Sequence, residues 1–395
     1  MTTTSSQPIR RRPRDRKAQI LAAAMDCFQQ SGYQATGMED IASAVGITAG
    51  GLYRHFRGKQ ELLGVALLDS TDRLLSAMAE ADGLEELLTA VASFSLDHRS
   101  YAVVWDRETR HVSPDHQGEV QQRHARVSAV LGEALRASRP DLDPADIPLV
   151  SWAVLAVLAS ASYHGTELPR PRFDVLLRRL AEAVGRTELP PAAPGATRPE
   201  QAKPGLRPVS RREALLAAAL PLFAERGYQA VSMEDVGAAL GISRLTVYQQ
   251  FPGKGDLLAA ALRRASEAKW ATLTRDLARS STAQEGLLRL MHTYAESSLI
   301  EHGTGALLLV SELPHLPAAD QEALHRSQVD YVAEWVALLT TCRPDLSQAE
   351  ARVMVQAVLV MFNLLPRLPL LEHRADAAAA LVELGLSVLQ LPRLP

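Results

Sequence analysis

The sequence has 395 residues, enough for two or more domains that each bury their own core. Hydrophobic residues make up 47% and aromatic residues only 5%, so alanine and leucine dominate and favour helices over sheets. The net charge of −3 does not by itself suggest a nucleic-acid partner. No phosphate-binding loop, nucleophile elbow, dinucleotide fingerprint or paired metal motif occurs, so we expect no enzyme, no catalytic residue and no cofactor.

Two cysteines, Cys27 and Cys342, stand far apart, and no CxxC motif occurs, which argues against a metal site or a disulfide. We expect Cys27 to be a small core residue of the first helix. The first residues are polar and then arginine-rich, unlike a signal peptide. The longest apolar run, 150–163, is too short to span a bilayer, so we expect a cytoplasmic protein without a membrane segment.

The N-terminal segment 1–13 is predicted to be a flexible basic arm. Residues 9–17 carry six basic residues against Asp15 alone. Beside a DNA-reading module, such a segment would supply phosphate contacts. The alternative is a tail that only improves solubility.

A first helix is predicted from about Arg14 to Gln30, ended by Gly32. The stretch 38–56 then has the pattern of a helix-turn-helix. Its apolar residues recur at helical spacing, Gly46 stops the first short helix and Thr48 caps the second. The second helix of such a motif lies in the DNA major groove.

Further helices are predicted along the first half of the chain. A fourth helix begins at Lys59 and ends near Glu80, and prolines separate the helices after it. The segment 144–163 is apolar nearly all round and should therefore be buried. The remaining predicted helices of this half are 84–97, 100–110, 117–137 and 173–184.

The second half repeats the first. From 20 to 63, adding 195 to each residue number gives identical residues at 21 of 44 positions without a gap. Later segments align at an offset of 204: Arg139-Pro-Asp-Leu142, for example, falls on Arg343-Pro-Asp-Leu346. The whole domain is therefore duplicated. We call its two occurrences the first copy and the second copy.

A proline-rich stretch, 185–209, holds six prolines and three glycines and reads as a linker between the copies. In the second copy we predict a first helix over about 210–225, a helix-turn-helix over 233–251 and a fourth helix from Lys254. The predicted domains are a helix-turn-helix domain and a C-terminal helical domain in each copy: 14–62 and 63–184, then 210–257 and 258–392.

Each copy resembles the TetR/AcrR family of bacterial transcriptional regulators. The resemblance is strongest over 14–67 and 210–262, where a helix, Gly-Tyr, a helix, Gly-Ile, a short helix with Tyr and Phe, and a Lys follow in that order. It implies an all-α fold of two tandem TetR-like units. Each unit would have a DNA-binding three-helix domain and a helical domain for ligand binding and dimerisation. Most members are repressors released by a small molecule.

The resemblance places Tyr53 and Tyr248 on a backbone phosphate or a base edge, with Phe56 and Phe251 in the core. Lys59 and Lys254, at the start of the fourth helices, would hold a phosphate together with free N–H groups. Core packing for the tyrosines and a solvated charge for the lysines are the alternatives. The remaining predicted DNA-binding residues are Thr48, Ala49, Gly50, Gly51, Arg54, His55, Ser243, Arg244, Leu245, Thr246, Gln249 and Gln250.

The two recognition helices differ where bases would be read. Arg244 could bond a guanine bidentately, worth roughly 1–3 kcal/mol of discrimination. Nothing in the first copy matches it. There, Gly50 and Gly51 each cost the helix about 1 kcal/mol relative to alanine, but they let the backbone approach the groove closely. The first copy would therefore read shape and phosphates more than bases.

The last two helices of each copy, 144–163 with 173–184 and 347–365 with 376–390, are predicted to form a four-helix bundle. Their apolar stripes include Trp152, Leu155, Leu158, Val355, Leu359 and Phe362. The copies would then pair within one chain on an imperfectly palindromic operator. A linker of roughly 22 residues can reach about 70 Å, which exceeds the roughly 34–36 Å between half-sites. Association of two chains is the alternative.

The residues predicted to line an effector pocket lie in the middle helices of each copy, where a largely apolar site with a few polar groups is usual. A surface position is the alternative for each histidine. The acidic-histidine pair lacks further ligands, so zinc is rejected. The predicted residues are Trp105, Arg107, Arg110, His111, His124, Glu312 and His315, with His325 and Tyr331 nearby. A second class of function is a ligand-sensing or scaffold protein in which only the second head binds DNA.

Overall fold

A computed structural model describes residues 13–190, 208–301, 312–313, 316–371 and 374–392. Across these ranges the regular structure is helical and no strand occurs, as the composition predicts. The predicted pocket residue His315 and the arm 1–12 lie outside the described residues, as does most of the linker.

The described helices follow the predicted order in both copies. Those of the first copy are α1 (Pro13–Ala35), α2 (Met38–Ala44), α3 (Ala49–Tyr53), α4 (Lys59–Ala79), α5 (Gly83–Asp97), α6 (Ser100–Glu108), α7 (Pro114–Ser138), α8 (Ile147–Ala159) and α9 (Arg170–Gly185). Those of the second copy are α10 (Arg211–Arg226), α11 (Met233–Ala238), α12 (Arg244–Gln250), α13 (Lys254–Ala278), α14 (Ala283–Glu301), α15 (Ala318–Cys342), α16 (Gln348–Leu364) and α17 (Ala377–Leu389). Short 3-10 turns follow α6 and α8.

The first helix differs from its prediction at the C-terminal end. Helical turns continue to Ala35, but Gly32 breaks their backbone with φ 77° and ψ 161°. A residue with a β-carbon rarely adopts that φ, which explains why glycine stands where the helix was predicted to end.

Two compact bodies make up the chain. One comprises 1–80 and 97–130, and the other comprises 81–96 and 131–395. In the first body, α1 packs against α4 and α6. Large side chains there are fully buried, namely Ile20, Phe28, Ile41, Leu52, Leu62 and Leu63.

The second body contains the helices for which a bundle was predicted. In it α8 contacts α9 and α16, α9 contacts α17, and α16 contacts α17. Leu158, Val355, Leu359 and Phe362 are buried, whereas Trp152 and Leu155 are only partly buried. The last helices of the first copy thus pack against the last helices of the second.

Polar contacts join the copies along the same helices. An Arg172 nitrogen lies 2.8 Å from a carboxylate oxygen of Glu350. The guanidinium of Arg374 forms an ion pair with Asp146 and another, at 2.8 Å, with Asp376 of its own copy. These ion pairs fix how the helices of the first copy are aligned along the helices of the second.

One helical segment among the described residues, Gln348–Arg367, is long and apolar enough by length and composition to cross a membrane. Two thirds of its most apolar window is buried inside the protein, as in a core helix. A single segment of this kind is weak support for a membrane protein.

Candidate nucleic-acid interface

The helix-turn-helix of the first copy closes as its sequence predicts. Gly46 adopts φ 67°, and the N–H of Ile47 then donates to the carbonyl of Ala42 at 3.0 Å. The hydroxyl of Thr48 caps α3 by accepting from the N–H of Gly51. Phe56 is buried beneath α3, so a hydrophobic core fixes the short helix.

The second copy uses the same devices with a stronger cap. Ser232 and Asp235 form a capping box at α11, in which each side chain bonds the other residue's backbone N–H. Gly241 again adopts φ 67°, and Ser243 caps α12. Phe251 is buried like its counterpart in the first copy.

The tyrosines of both recognition helices face solvent. Tyr53 is 54% exposed and Tyr248 is 39% exposed, so the alternative of core packing is wrong for both. The other predicted reading residues with exposed side chains or backbone are Thr48, Gly50, Arg54, His55, Ser243, Arg244, Leu245 and Gln249, whereas Ala49, Gly51, Thr246 and Gln250 are partly covered. Each copy therefore offers an uncovered face with a phenol at its centre.

The two faces differ in length and in side chains. α3 has 5 residues and α12 has 7. A β-carbon at Gly50 would meet no atom within 4 Å, and one at Gly51 would meet the Thr48 hydroxyl at 3.5 Å. Close packing therefore does not require glycine at either position. The two glycines instead leave the face of α3 without side chains at 50 and 51.

Arg244 is held in place on the exposed surface of the second copy. Its guanidinium lies 2.7 Å from a carboxylate oxygen of Glu234 and over the ring of Tyr248, 5.4 Å from the centroid. Both partners are exposed, so the ion pair is weak and a competing anion can replace the carboxylate. At the equivalent position the first copy has Ala49.

The structure corrects the prediction for Lys59. Its ammonium donates to the carbonyls of Tyr33, Gln34 and Thr36 at 2.6, 3.4 and 2.8 Å, and it lies 4.3 Å from the centroid of the Tyr33 ring. An ammonium has only three N–H donors. Because all three have carbonyl partners, Lys59 fastens the loop between α1 and α2 instead of presenting its charge to a phosphate.

Lys254 repeats this arrangement in the second copy. Its ammonium donates to the carbonyls of Tyr228 and Gln229 at 2.7 and 3.3 Å and lies over the Tyr228 ring at 4.4 Å. Burial lowers the pKa of Lys254, and the carboxylate of Glu312 opposes that shift. The phosphate prediction is therefore revised for Lys59, whereas two carbonyls occupy only two of the three N–H donors of Lys254 and its phosphate contact stays a prediction.

The predicted pocket residues of the first copy divide into two groups. Arg107 is buried and donates to the Glu108 carboxylate and to the carbonyls of Phe28 and Gln29, just before the Gly32 break in α1. His111 stacks on Tyr33 with ring centroids 4.7 Å apart. These side chains tie α6 to the DNA-binding helices instead of lining a pocket, and the pocket prediction is wrong for Arg107.

The second group lies on the other side of α6. The Trp105 ring stacks on His124 with centroids 3.7 Å apart, and the Tyr101 hydroxyl lies 3.5 Å from a ring nitrogen of His124. Burial lowers the pKa of His124 to about 3, so its ring is neutral. Arg110 is exposed and beside His111.

In the second copy, Glu312 is buried near Lys254 and Tyr228. Burial raises the pKa of the Tyr228 phenol, and the negative charge of Glu312 adds to that rise. It corresponds to Glu108 at the offset of 204, and its place in a pocket stays a prediction. His325 is exposed. A cleft does open nearby, lined by Tyr331 together with Lys269, Tyr294 and Asn363, and sequence reasoning found only the first of these.

These features define a DNA-binding protein of the helix-turn-helix class with two reading heads. The family model described as bacterial regulatory proteins, tetR family, matches residues 20–66 and 215–261. The HTH-type transcriptional repressor KstR2 of Mycolicibacterium smegmatis is 32% identical over 155 residues, which cover 35% of this chain and 73% of that protein. The chain belongs to the TetR family of transcriptional regulators and carries two tandem units.

Two further relatives are similar over shorter shares. The HTH-type transcriptional activator FasR of Mycolicibacterium smegmatis is 34% identical over 108 residues. These residues cover 25% of this chain and 49% of FasR, so the chain spans about half the length of that relative. The crystal structure of a tetR-family regulatory protein from Rhodococcus RHA1 has 25% identity, covers 43% of this chain and 95% of its own, and gives a TM-score of 0.39.

Proposed function

We propose that the chain is a transcriptional repressor whose two copies pair within one polypeptide, each placing a reading head on one half of an imperfectly palindromic operator. A small-molecule effector releases it. The observation that carries this proposal is the packing of α8 and α9 of the first copy against α16 and α17 of the second.

Charged contacts between the copies support their pairing within one chain. At the offset of 204, Arg172 corresponds to Asp376, and Asp146 corresponds to Glu350. Across the observed interface Arg172 meets Glu350. At the other related pair of positions, Arg374 forms ion pairs with both Asp146 and Asp376, so opposite charges meet at both related contacts between the copies.

The unequal reading faces support an imperfect palindrome. Arg244 offers a guanidinium that can exchange the Glu234 carboxylate for a guanine edge. The first head offers Arg54 and His55 from the end of a helix without side chains at Gly50 and Gly51. Each head therefore prefers its own half-site, and the first half-site is chosen more by groove shape.

Contacts between α6 and α1 support a route for release. Arg107 and Glu108 stand at the end of α6, and Arg107 bonds the carbonyls of Phe28 and Gln29, which precede the Gly32 break in α1. An effector that shifts α6 would move these bonds, and α1 with its reading head would follow. The effector then weakens DNA binding by its preference for the shifted state.

Light scattering of the full chain at low micromolar concentration tests the pairing. One chain has a mass of 42.9 kDa, and we expect that mass for the free protein and that mass plus one operator duplex for the complex. A mass of two chains would overturn intrachain pairing. Selection of binding sites from random DNA tests the proposal that the two heads prefer different half-sites. A perfectly symmetric preferred site would overturn that proposal.

The short α3 favours a second candidate function, a sensor in which only the second head binds DNA. Footprinting with Tyr53→Ala and Tyr248→Ala separates the two candidates, since both side chains are exposed and neither supports the core. The repressor proposal expects protection to be lost over one half-site by each variant. If only Tyr248→Ala reduces protection, the first head does not contribute.

A further inference from the structure

One large apolar side chain projects from the reading face of the second copy. Leu245, on α12, is 71% exposed. The core beneath this helix is built by other side chains, among them Val247 and Phe251. A single exposed leucine is ordinary on a protein surface, so its meaning depends on where it lies.

Leu245 lies at the outward centre of α12. Each residue of an α-helix turns by about 100°, so Leu245 and Val247 point about 200° apart, to nearly opposite sides. Val247 is fully buried, and Leu245 is therefore directed away from the core. Around the helix Leu245 lies between Tyr248 and Gln249, both of which are exposed. In a helix-turn-helix, this outward side of the second helix enters the major groove.

Contacts at both ends hold α12 in position. The hydroxyl of Ser243 accepts from the N–H of Thr246 at 3.4 Å and lies 3.0 Å from the Thr246 hydroxyl. At the other end, Arg212 donates to the carbonyl of Gln250 at 3.2 Å, and its guanidinium lies over the Phe251 ring, 4.4 Å from the centroid. A helix held in this way presents its outward side chains to DNA in one arrangement, as selective recognition requires.

An apolar side chain can recognise one feature of the major groove. Thymine alone presents a methyl group there, whereas the edges of adenine, guanine and cytosine are marked by hydrogen-bonding groups. A leucine side chain has neither a donor nor an acceptor, so it would remove water from those groups without replacing the lost hydrogen bonds. Contact with the thymine methyl instead buries apolar surface on both partners. The position of Leu245 therefore favours thymine over the other bases.

The first copy has no side chain at the equivalent position. At the offset of 195, Leu245 corresponds to Gly50, and Arg212, which holds the end of α12, corresponds to Lys17. A β-carbon at Gly50 would meet no atom within 4 Å, so there is room for a side chain that the first copy does not have. A leucine contact at this position is therefore confined to the second copy.

We propose that Leu245 recognises the C5-methyl group of one thymine in the half-site of the second head, and that the first head makes no equivalent contact. The inference rests on the proposed binding of one operator by both heads of a chain, and it names a base that this operator contains. Because the methyl contact occurs in one half-site only, it also sets the direction in which the chain lies on its operator.

Replacement of thymidine by deoxyuridine in the bound duplex tests the contact, because deoxyuridine lacks only the C5-methyl group. The probe is a duplex that the full chain enriches from random DNA, with its thymidines replaced one at a time. We expect one replacement to weaken binding of the wild-type chain about fourfold, the effect of one buried methyl group. Leu245→Ala should bind the thymidine duplex and this deoxyuridine duplex with equal affinity.

Gln249→Ala is the matched control, since Gln249 is exposed beside Leu245 on the same helix. It should keep the fourfold difference between the two duplexes. Alanine favours helices, so both variants should retain α12, and circular dichroism checks their folding. In a second readout, 5-methylcytosine at the critical position should bind the wild-type chain about fourfold more tightly than cytosine there, because it returns the methyl group. Leu245→Ala should not distinguish these two bases.

Two results would overturn the inference while the repressor proposal survives: no single replacement weakens binding of the wild-type chain, or Leu245→Ala shows the same loss as wild type. Two critical thymines that depend on Leu245, one in each half-site, would mean that the second heads of two chains occupy the operator. That result would overturn pairing within one chain and leave the methyl contact standing. Selection that enriches no sequence would overturn both proposals.

Discussion

Arg374 of the second copy and Asp146 of the first form an ion pair with only 8% and 13% of their side-chain surfaces exposed. The same guanidinium pairs with Asp376 and donates to the carbonyl of Pro190. Arg374→Met would leave two carboxylates buried without a counter-charge. We expect a loss of about 3–5 kcal/mol in the free energy of unfolding, measured in urea.

Arg326→Met is the control for this prediction, because Arg326 is 70% exposed and, within the described ranges, pairs only with an exposed neighbour on its own helix. It should change stability by less than about 0.5 kcal/mol. Equal stability of Arg374→Met and Arg326→Met would mean that the contact between the copies carries little energy.

Lys59→Met tests the revised role of this lysine. It removes the donor to three loop carbonyls, so we expect a lower thermal midpoint for the DNA-binding helices. A phosphate contact would instead add about 0.9 to the slope of log affinity against log salt concentration. We therefore expect the slope of Lys59→Met to equal that of wild type, and the slope of Arg54→Met, on the exposed face, to be smaller.

Arg244→Ala should cost about 1–3 kcal/mol of binding to the preferred operator and relax the preference at one base pair. Glu234→Gln frees the guanidinium from its carboxylate and should raise affinity for all sequences, with a steeper salt dependence. Binding to operators with single base changes checks both variants. If Arg244→Ala weakens every sequence equally, Arg244 contacts a phosphate and reads no base.

His124 predicts a pH dependence of stability. Burial lowers its pKa from 6.5 to about 3, so between these values the unfolded chain binds a proton that the folded chain does not. Stability therefore falls as the pH is lowered from about 6.5, by at most about 1.4 kcal/mol per pH unit from this group. Thermal unfolding between pH 7 and pH 4.5 measures it.

His124→Gln, which installs the residue found at 328 in the second copy, should remove this part of the dependence. His55→Gln is the control, because His55 is exposed at the end of α3. If wild type and His124→Gln show the same pH dependence of stability, the His124 ring is accessible to protons in the folded protein.

The fold could be predicted because its signals are local and occur twice. Gly46 and Gly241 stop equivalent helices, and Phe56 and Phe251 end equivalent recognition helices at an offset of 195. Each copy supports the interpretation of the other. The bundle helices were also predictable, since a helix that is apolar on nearly every side must be covered.

Contacts to backbone carbonyls could not be predicted. Lys59 and Arg107 carry the charge expected of phosphate or ligand contacts, but their partners are carbonyl oxygens 23 or more residues away. The cleft was missed for a related reason. Lys269 and Asn363 come from helices far apart in sequence, and only their differences from Leu74 and Ala159 of the first copy could have drawn attention to them.

With the copies paired as proposed, the packing of α8 and α9 against α16 and α17 inside one polypeptide changes how repression depends on protein concentration. A repressor assembled from two separate molecules dissociates when it is dilute. The concentration of its active dimer then falls as the square of the total protein concentration. A repressor joined along its own backbone remains assembled at any dilution, so promoter occupancy follows copy number linearly. On the proposed pairing, each chain supplies both reading heads, and assembly of the repressor needs no second molecule.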